Sequence, residues 1–177
     1  MYNPTLYNVV IDLVTTASLP HCTLTSLPFN PTGRTPKTSR MSWDCYMDTL
    51  AGYTSQKMIF GGIYGFDGSR WTDKGDIAPN TKEISAMVNA CNNNSADLST
   101  AYTNGLFMKD KKFRFLRGDP EEKYIIFTRS EGEKLQNGCA VLTNQTILLC
   151  VCQEESKSSI AVDSAIKLAK YLKDNNY

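Results

Sequence analysis

Apolar positions in this chain recur with two periods. Trp43, Tyr46, Met47 and Leu50 fall at i, i+3, i+4 and i+7, one face of a helix. Ser42 is placed to cap that helix, Asp44 sits in a first turn that favours acids, and Gly52 offers a stop. From Lys57 to Phe66 the chain is apolar and aromatic, with paired glycines at 61 and 62. Asp67-Gly68 then turns it back into Ser69-Arg70-Trp71, a hairpin. Asn80 and Glu83 form a capping box ahead of Ile84, Met87, Val88 and Cys91, which repeat the helical spacing until the polar run 92–95.

Strand-like segments follow at 105–109, 111–117, 123–129, 139–143 and 146–152. They are separated by Asp110, Gly118-Asp119-Pro120, Asn137-Gly138 and Asn144-Gln145. Separators that short cannot hold the crossover helices of parallel strands, so the sheet is expected to be antiparallel. A last periodic segment runs from about Ser158 to Asp174. Its predicted apolar stripe is Val162, Ala165, Ile166, Ala169 and Leu172, with Ser164, Leu168, Tyr171 and Asn175 around one side. The order helix, two strands, helix, run of strands, helix predicts one α+β domain, an antiparallel sheet with helices on its faces.

Composition divides the 177 residues unevenly. Residues 1–40 hold five of the seven prolines, the only histidine (His21) and one acid, Asp12. Taking that segment's three cations and one acid from the whole-chain totals of 19 and 18 leaves 16 cations and 17 acids in 41–177. So near-neutral a balance argues against a nucleic-acid binder, which needs a cationic excess for phosphate contacts. Asp12 interrupts the mildly apolar stretch from Val9 to Leu19 and no cation precedes it, unlike a secretory signal. Met41-Ser42-Trp43-Asp44 reads like the start of a protein. Residues 1–40 are therefore expected to be a disordered extension or translated leader, and 41–177 the folded domain.

Six cysteines are present, but no CxxC pair, and 41–177 has no histidine, so no zinc pattern exists. Cys150 and Cys152 alternate along an apolar run and are expected to face one side of a strand as small hydrophobes, all six thiols being free. A nucleophile would want a histidine base, and no acid stands in an apolar context that would tune it. The reading is of a non-enzyme without metal or cofactor. Gly61-Gly62-Ile63-Tyr64-Gly65 lacks the spacing of a phosphate loop; small residues letting a helix approach the sheet explain it better.

The aromatics carry more. Met47 and Leu50 already fill the buried face of the first helix, leaving Trp43 and Tyr46 over; Tyr171 lies off the predicted stripe, and Tyr177 is the last residue. Should the two terminal helices pack side by side, these rings form a groove suited to a polyproline II segment, whose flat prolyl rings stack on aromatic faces. Tyr hydroxyls and indole N–H groups would then bond its free carbonyls. Lys109, Lys111, Lys112, Arg114 and Arg117, followed by Arg129, form a cationic cluster suited to an acidic protein surface or anionic lipid head group.

Met41-Ser42-Trp43-x-x-Tyr46-x-Asp48, Asp67-Gly68-Ser69-x-Trp71, Thr103-Asn104-Gly105-Leu106, Thr143-Asn144-Gln145 and the ending Leu172-x-x-x-x-Tyr177 together resemble profilin, over 41–177. The resemblance implies a central antiparallel sheet flanked by helices, with the N- and C-terminal helices adjacent on one face. It implies a protein of the cytoplasm and cytoskeleton that binds monomeric actin, regulates its polymerisation and promotes exchange of its nucleotide. Proline-rich assembly factors would bind on another face and phosphoinositides through basic residues. By position, Trp43, Tyr46, Trp71, Tyr171, Asn175 and Tyr177 correspond to the poly-proline site. Tyr102, Thr103, Asn104, Lys112, Phe115, Arg117, Asn137, Ser159, Asp163 and Lys167 correspond to the actin face. Lys109, Lys111, Arg114, Arg129, Lys170 and Lys173 are the candidates for phosphoinositides.

Two departures stand out. Lys109-Asp110 replaces a Gly-Gly found in many profilins, and Asp163 and Lys167 reverse the charges that vertebrate forms favour. The alternative reading is a small-molecule-sensing or interaction domain of the same layered architecture, which would need a buried polar cavity.

Overall fold

The computed structural model describes residues 43–92, 95–154 and 159–177. They belong to one compact unit, Ser42–Tyr177. The expectation of disorder for 1–40 and the cap assigned to Ser42 lie outside the described residues.

Four helices and seven strands are present among them: α1 (Asp44–Tyr53), β1 (Met58–Gly65), β2 (Arg70–Gly75), α2 (Thr81–Cys91), α3 (Ser95–Asn104), β3 (Leu106–Met108), β4 (Lys111–Asp119), β5 (Tyr124–Glu131), β6 (Lys134–Leu142), β7 (Thr146–Glu154) and α4 (Ile160–Asp174). The strands form one sheet in the order β2-β1-β7-β6-β5-β4-β3, with every adjacent pair antiparallel. The first and last long strands thus lie side by side, which brings the two ends of the described domain to one region.

One face of the sheet carries α1 and α4 over Ile63, Cys139, Val141, Leu148, Cys150 and Cys152. The other carries α2 and α3 over Phe60, Phe113, Ile125, Phe127, Leu149 and Val151. Leu50 and Met47 anchor α1, both essentially without exposure; such burial contributes about 1.5–3 kcal/mol for each side chain. α1 can sit close because β1 has Gly61 beneath it. A Cβ there would lie 2.7 Å from the Met58 sulfur and 3.1 Å from Leu50 Cδ2. Gly61 thus lets a helix approach the sheet, as its sequence context predicts, whereas Gly62 makes room for the Tyr64 and Phe60 rings.

Several readings need correction. α3 was not expected, because its sequence is polar and shows no helical stripe; Ala101 is its one buried residue among those described. Asn137-Gly138 is not a turn but lies within β6, where Gly138 pairs with Phe127 and makes room for its ring. The buried stripe of α4 is Ala161, Ser164, Ala165, Leu168, Ala169 and Leu172, rotated from the predicted one, so that Val162 and Ile166 are half-exposed. Small residues on the buried side let α4 approach the sheet closely, and that outweighs the larger apolar side chains next to them.

Of Gly118-Asp119-Pro120, the first two extend β4, paired with Ile125 and Tyr124, and the turn begins at Pro120; the signals at 67–69 and 80–83 form as read. Asp67 Oδ1 accepts from the Ser69 amide (2.9 Å) and hydroxyl (2.6 Å), and Gly68 takes the left-handed conformation. Asn80 and Glu83 close the capping box on α2. Glu83 does more: its carboxylate also accepts from the Lys109 and Asp110 amides at 3.1 and 3.2 Å. Both residues are left-handed, at φ 49° and 63°, a conformation that favours glycine, and the two bonds to Glu83 hold it here without one.

Cys91, Cys139, Cys150 and Cys152 are free and buried, and the Cys150 and Cys152 sulfurs lie 4.0 Å apart on one side of β7. Cys45 corrects the expectation of free thiols throughout: half-buried at the start of α1, outside the apolar layer, it is disulfide-bonded.

Candidate functional site: an aromatic seam and a cationic sheet face

The two terminal helices pack against each other, and aromatic side chains line their junction. Trp43 is central. Its ring lies 4.7 Å from Trp71, 5.3 Å from Tyr46 and 4.9 Å from Tyr177, the last pair edge to face at 85°. Tyr46 continues the row to Tyr171 at 6.1 Å. All five rings are half-buried, packed against the α1/α4 core while keeping one side open.

Backbone and hydrogen bonds fix this arrangement. Asp44 Oδ1 accepts from the Thr72 hydroxyl at 2.7 Å, and Asp48 pairs with Lys74 at 2.9 Å, so α1 is tied to β2 and Trp43 is set beside Trp71. At the other end, the Asn144 amide N–H donates to the Tyr177 carbonyl at 2.9 Å. Asn144 Nδ2 donates to the Lys173 carbonyl and Gln145 Nε2 to that of Asn176. The β6–β7 turn is therefore a clamp on the C-terminus. Asn175 is exposed and spends its side-chain amide on the Tyr171 carbonyl at 2.8 Å, stabilising the helix end.

Phenol chemistry reflects the crowding. Burial pushes the Tyr46 pKa up, reinforced by Tyr171 and Tyr177, so its hydroxyl stays a donor. Tyr53, unremarked in the sequence reading, belongs to the same row. Burial and then Tyr171 raise its pKa, its hydroxyl is buried without a hydrogen-bond partner, and Lys167 Nζ sits 4.1 Å above its ring. The signal was available: Tyr53 follows Tyr46 by seven residues, two helical turns.

A second surface is set by the sheet register. Arg114 pairs with Thr128, Thr128 with Asn137 and Asn137 with Cys152, one cross-strand row. Arg117, Ile126, Cys139 and Cys150 make the next row. Cys150 and Cys152 lie under the terminal helices, whereas α4 packs chiefly on β6 and β7. The β4–β5 end of that face is left open, with Lys112, Arg114 and Arg117 exposed and outside every ion pair among the described residues. The Lys112 stem lies beside Gly105, joining this surface to the end of α3, where Tyr102, Thr103 and Asn104 are exposed. Ser159 and Asp163, bonded to each other at 2.7 Å, are exposed at the start of α4.

Two residues assigned to the actin face present no side chain to solvent. Phe115 is buried beneath Tyr102, which stacks on it edge to face at 4.6 Å. Asn137 is buried, accepting from the Thr128 hydroxyl at 3.0 Å and donating to Glu154 at 3.3 Å; Glu154 in turn pairs with Lys57. Both support the surface from below.

The cations assigned to lipid divide differently. Lys111 and Arg129 are held by Glu131, at 3.9 and 3.4 Å, and Lys109 Nζ is bound to the Asp76 carbonyl. Arg114, by contrast, shares the open face with Lys112 and Arg117. Lys170 and Lys173 border a cavity of about 260 Å³ between α4 and β6, lined also by Glu122, Val141, Ile166 and Ala169. The buried polar groups that do gather, Gln136, Asn137 and Glu154, are already bonded to one another or to Thr128, Arg129, Glu131 and Lys57, and the two apolar layers fill both sides of the sheet. No group of histidine, cysteine or acidic side chains able to hold a metal occurs among them, and no helix there is long and apolar enough to cross a membrane.

A family model described as profilin matches residues 41–177. Profilin-A of Physarum polycephalum is 28% identical over 138 residues, covering 77% of this chain and all of that protein. Mouse profilin IIa, solved with a double repeat from the FH1 domain of mDia1, superposes with a TM-score of 0.65 at 21% identity over 76% of this chain and 99% of that one. LokiProfilin1, solved in complex with rabbit actin, gives 0.53 at 16% identity over 75% and 94%. At those identities the two structures speak for the fold.

Proposed function

This chain belongs to the profilin family, and from that premise we propose that it binds monomeric actin and regulates its polymerisation while holding a proline-rich ligand at the aromatic seam. The observation that carries the reading is the meeting of Trp43 with Trp71, Tyr46 and Tyr177, which builds a row of half-open rings from both chain ends. A polyproline II segment arrives already extended, so little conformational entropy is lost on binding. Its prolyl rings lie flat on the indoles and phenols, and its unpaired carbonyls accept from Trp and Tyr donors. Trp43, Tyr46, Trp71, Tyr171 and Tyr177 take those roles, while Asn175 keeps the helix end in place.

Actin occupies the open β4–β5 face and its borders. Lys112, Arg114 and Arg117 offer unpaired positive charge to an acidic surface, Tyr102 supplies an exposed ring, and Thr103, Asn104, Ser159 and Asp163 form the rim. Exchange of actin's nucleotide follows from binding that favours one conformation of the monomer; the protein itself performs no chemistry. Phosphoinositides compete for the same unpaired cations, with Lys170 and Lys173 as a second patch. The domain is residues 41–177, working in the cytoplasm.

Retention on poly-proline resin and slowing of actin assembly test the reading together. Wild type does both. A protein that binds neither would remove it.

A further inference from the structure

The seam does not stop at Tyr46 and Tyr171. α1 and α4 run antiparallel along it: Trp43 meets Tyr177, Tyr46 meets Tyr171, and two turns further along α1 Tyr53 meets Lys167. We propose that Tyr53 and Lys167 form a third station of the groove, which recognises an acidic side chain flanking the proline run of the ligand. This rests on the proline-ligand reading above and adds to it a rule for choosing among proline-rich partners.

Spacing supports it. Seven residues of α-helix advance about 10 Å, and a polyproline II segment advances about 3.1 Å per residue. A ligand stacked on Tyr46 therefore reaches Tyr53 three to four residues later. Lys167 Nζ is held 4.1 Å above the Tyr53 ring, where the ring's electron-rich face attracts it. Lys167 is exposed and joins no ion pair among the described residues. One turn earlier on the same helix, Asp163 Oδ2 is occupied by the Ser159 hydroxyl. The station thus presents a positioned ammonium, outside every ion pair among the described residues, at the end of an aromatic row. A carboxylate reaching it forms a charge-assisted hydrogen bond. A stem merely packed on a ring would give no preference between acidic and neutral ligands.

Intrinsic fluorescence of the full chain, titrated with synthetic peptides, decides the matter. The peptides are decaproline, decaproline with two glutamates at either end, and decaproline with two lysines in the same places. One glutamate peptide is expected to bind about two- to fivefold tighter than decaproline at low salt, the range of an exposed ion pair. The gain disappears at high salt and in Lys167→Ala, and Lys167→Glu transfers it to a lysine peptide. Plain decaproline binds all three proteins within about twofold, as expected for an exposed side chain outside the first two stations. A gain that persists in Lys167→Ala, or no gain for either glutamate peptide, overturns the third station while leaving the groove intact. Failure of wild type to bind decaproline at all would instead remove the underlying reading and the station with it.

Discussion

Trp43 and Tyr177 meet edge to face with ring centroids 4.9 Å apart, although they stand at the two ends of the described chain. Three links make this contact: β1 and β7 are neighbours in the sheet, α1 and α4 share a face, and the Asn144 amide holds the Tyr177 carbonyl. Each link can be broken separately.

Asn144→Ala removes the side-chain hydrogen bond to Lys173 while keeping the backbone bond to Tyr177. Such a bond contributes about 1 kcal/mol. If that stability serves to hold the C-terminus in register, proline-peptide affinity falls by up to about fivefold with little change in Tm. Fluorescence titration and a thermal melt of the variant measure the two effects independently.

Gly61→Val forces a side chain into the gap between β1 and α1, against the sulfurs of Met58 and Met47 and the Leu50 methyl. Overpacking of this kind costs about 1–3 kcal/mol. A lower urea midpoint with an unchanged slope is expected; unaltered stability would mean that α1 does not lie where it is described.

Tyr53→Phe deletes a hydroxyl that is buried without a partner. An unsatisfied buried polar group costs about 1–3 kcal/mol, so this substitution raises stability in urea instead of lowering it. A destabilised variant would show that the hydroxyl is bonded in solution.

Alkaline titration probes the buried layer. Burial holds the Cys139 thiol well above its ordinary value of 9.0; for Cys150 the Cys152 hydrogen bond does so first and burial second. Burial raises Tyr64 as well, helped by its bond to Asp73. Raised folded values mean that their stabilising contribution is complete below the unfolded pKa and is lost as pH climbs beyond it. Stability is expected to be flat from neutral pH to about 9 and to fall above it. A rise over that alkaline range would contradict the burial of these groups.

Much of this architecture is legible in sequence because local signals agreed with global packing. The Asp67-Gly68 turn, the Asn80/Glu83 box and the i, i+3, i+4 spacing of α1 each name one structure. α3 was hidden because a helix with one buried alanine leaves no stripe to read. Asn137-Gly138 imitates a turn, yet mid-strand the asparagine is satisfied by Thr128 and Glu154, and the glycine accommodates Phe127. The surplus of aromatics in the first and last helices pointed to the seam, whereas Tyr53 went unread although it stands two helical turns after Tyr46. Exposure was the least visible property: Phe115 and Arg114 are neighbours in one strand, and only register decides which supports the surface and which forms it.

The central claim is that one small domain presents two separate faces, a seam for prolines and an open sheet face for actin. Trp43→Ala and Arg117→Glu, each confirmed folded, should be assayed side by side for poly-proline retention and for actin-monomer sequestration. The account predicts that Trp43→Ala loses the resin and keeps the monomer, while Arg117→Glu keeps the resin and weakens on the monomer. Equal loss of both activities in both variants would contradict it.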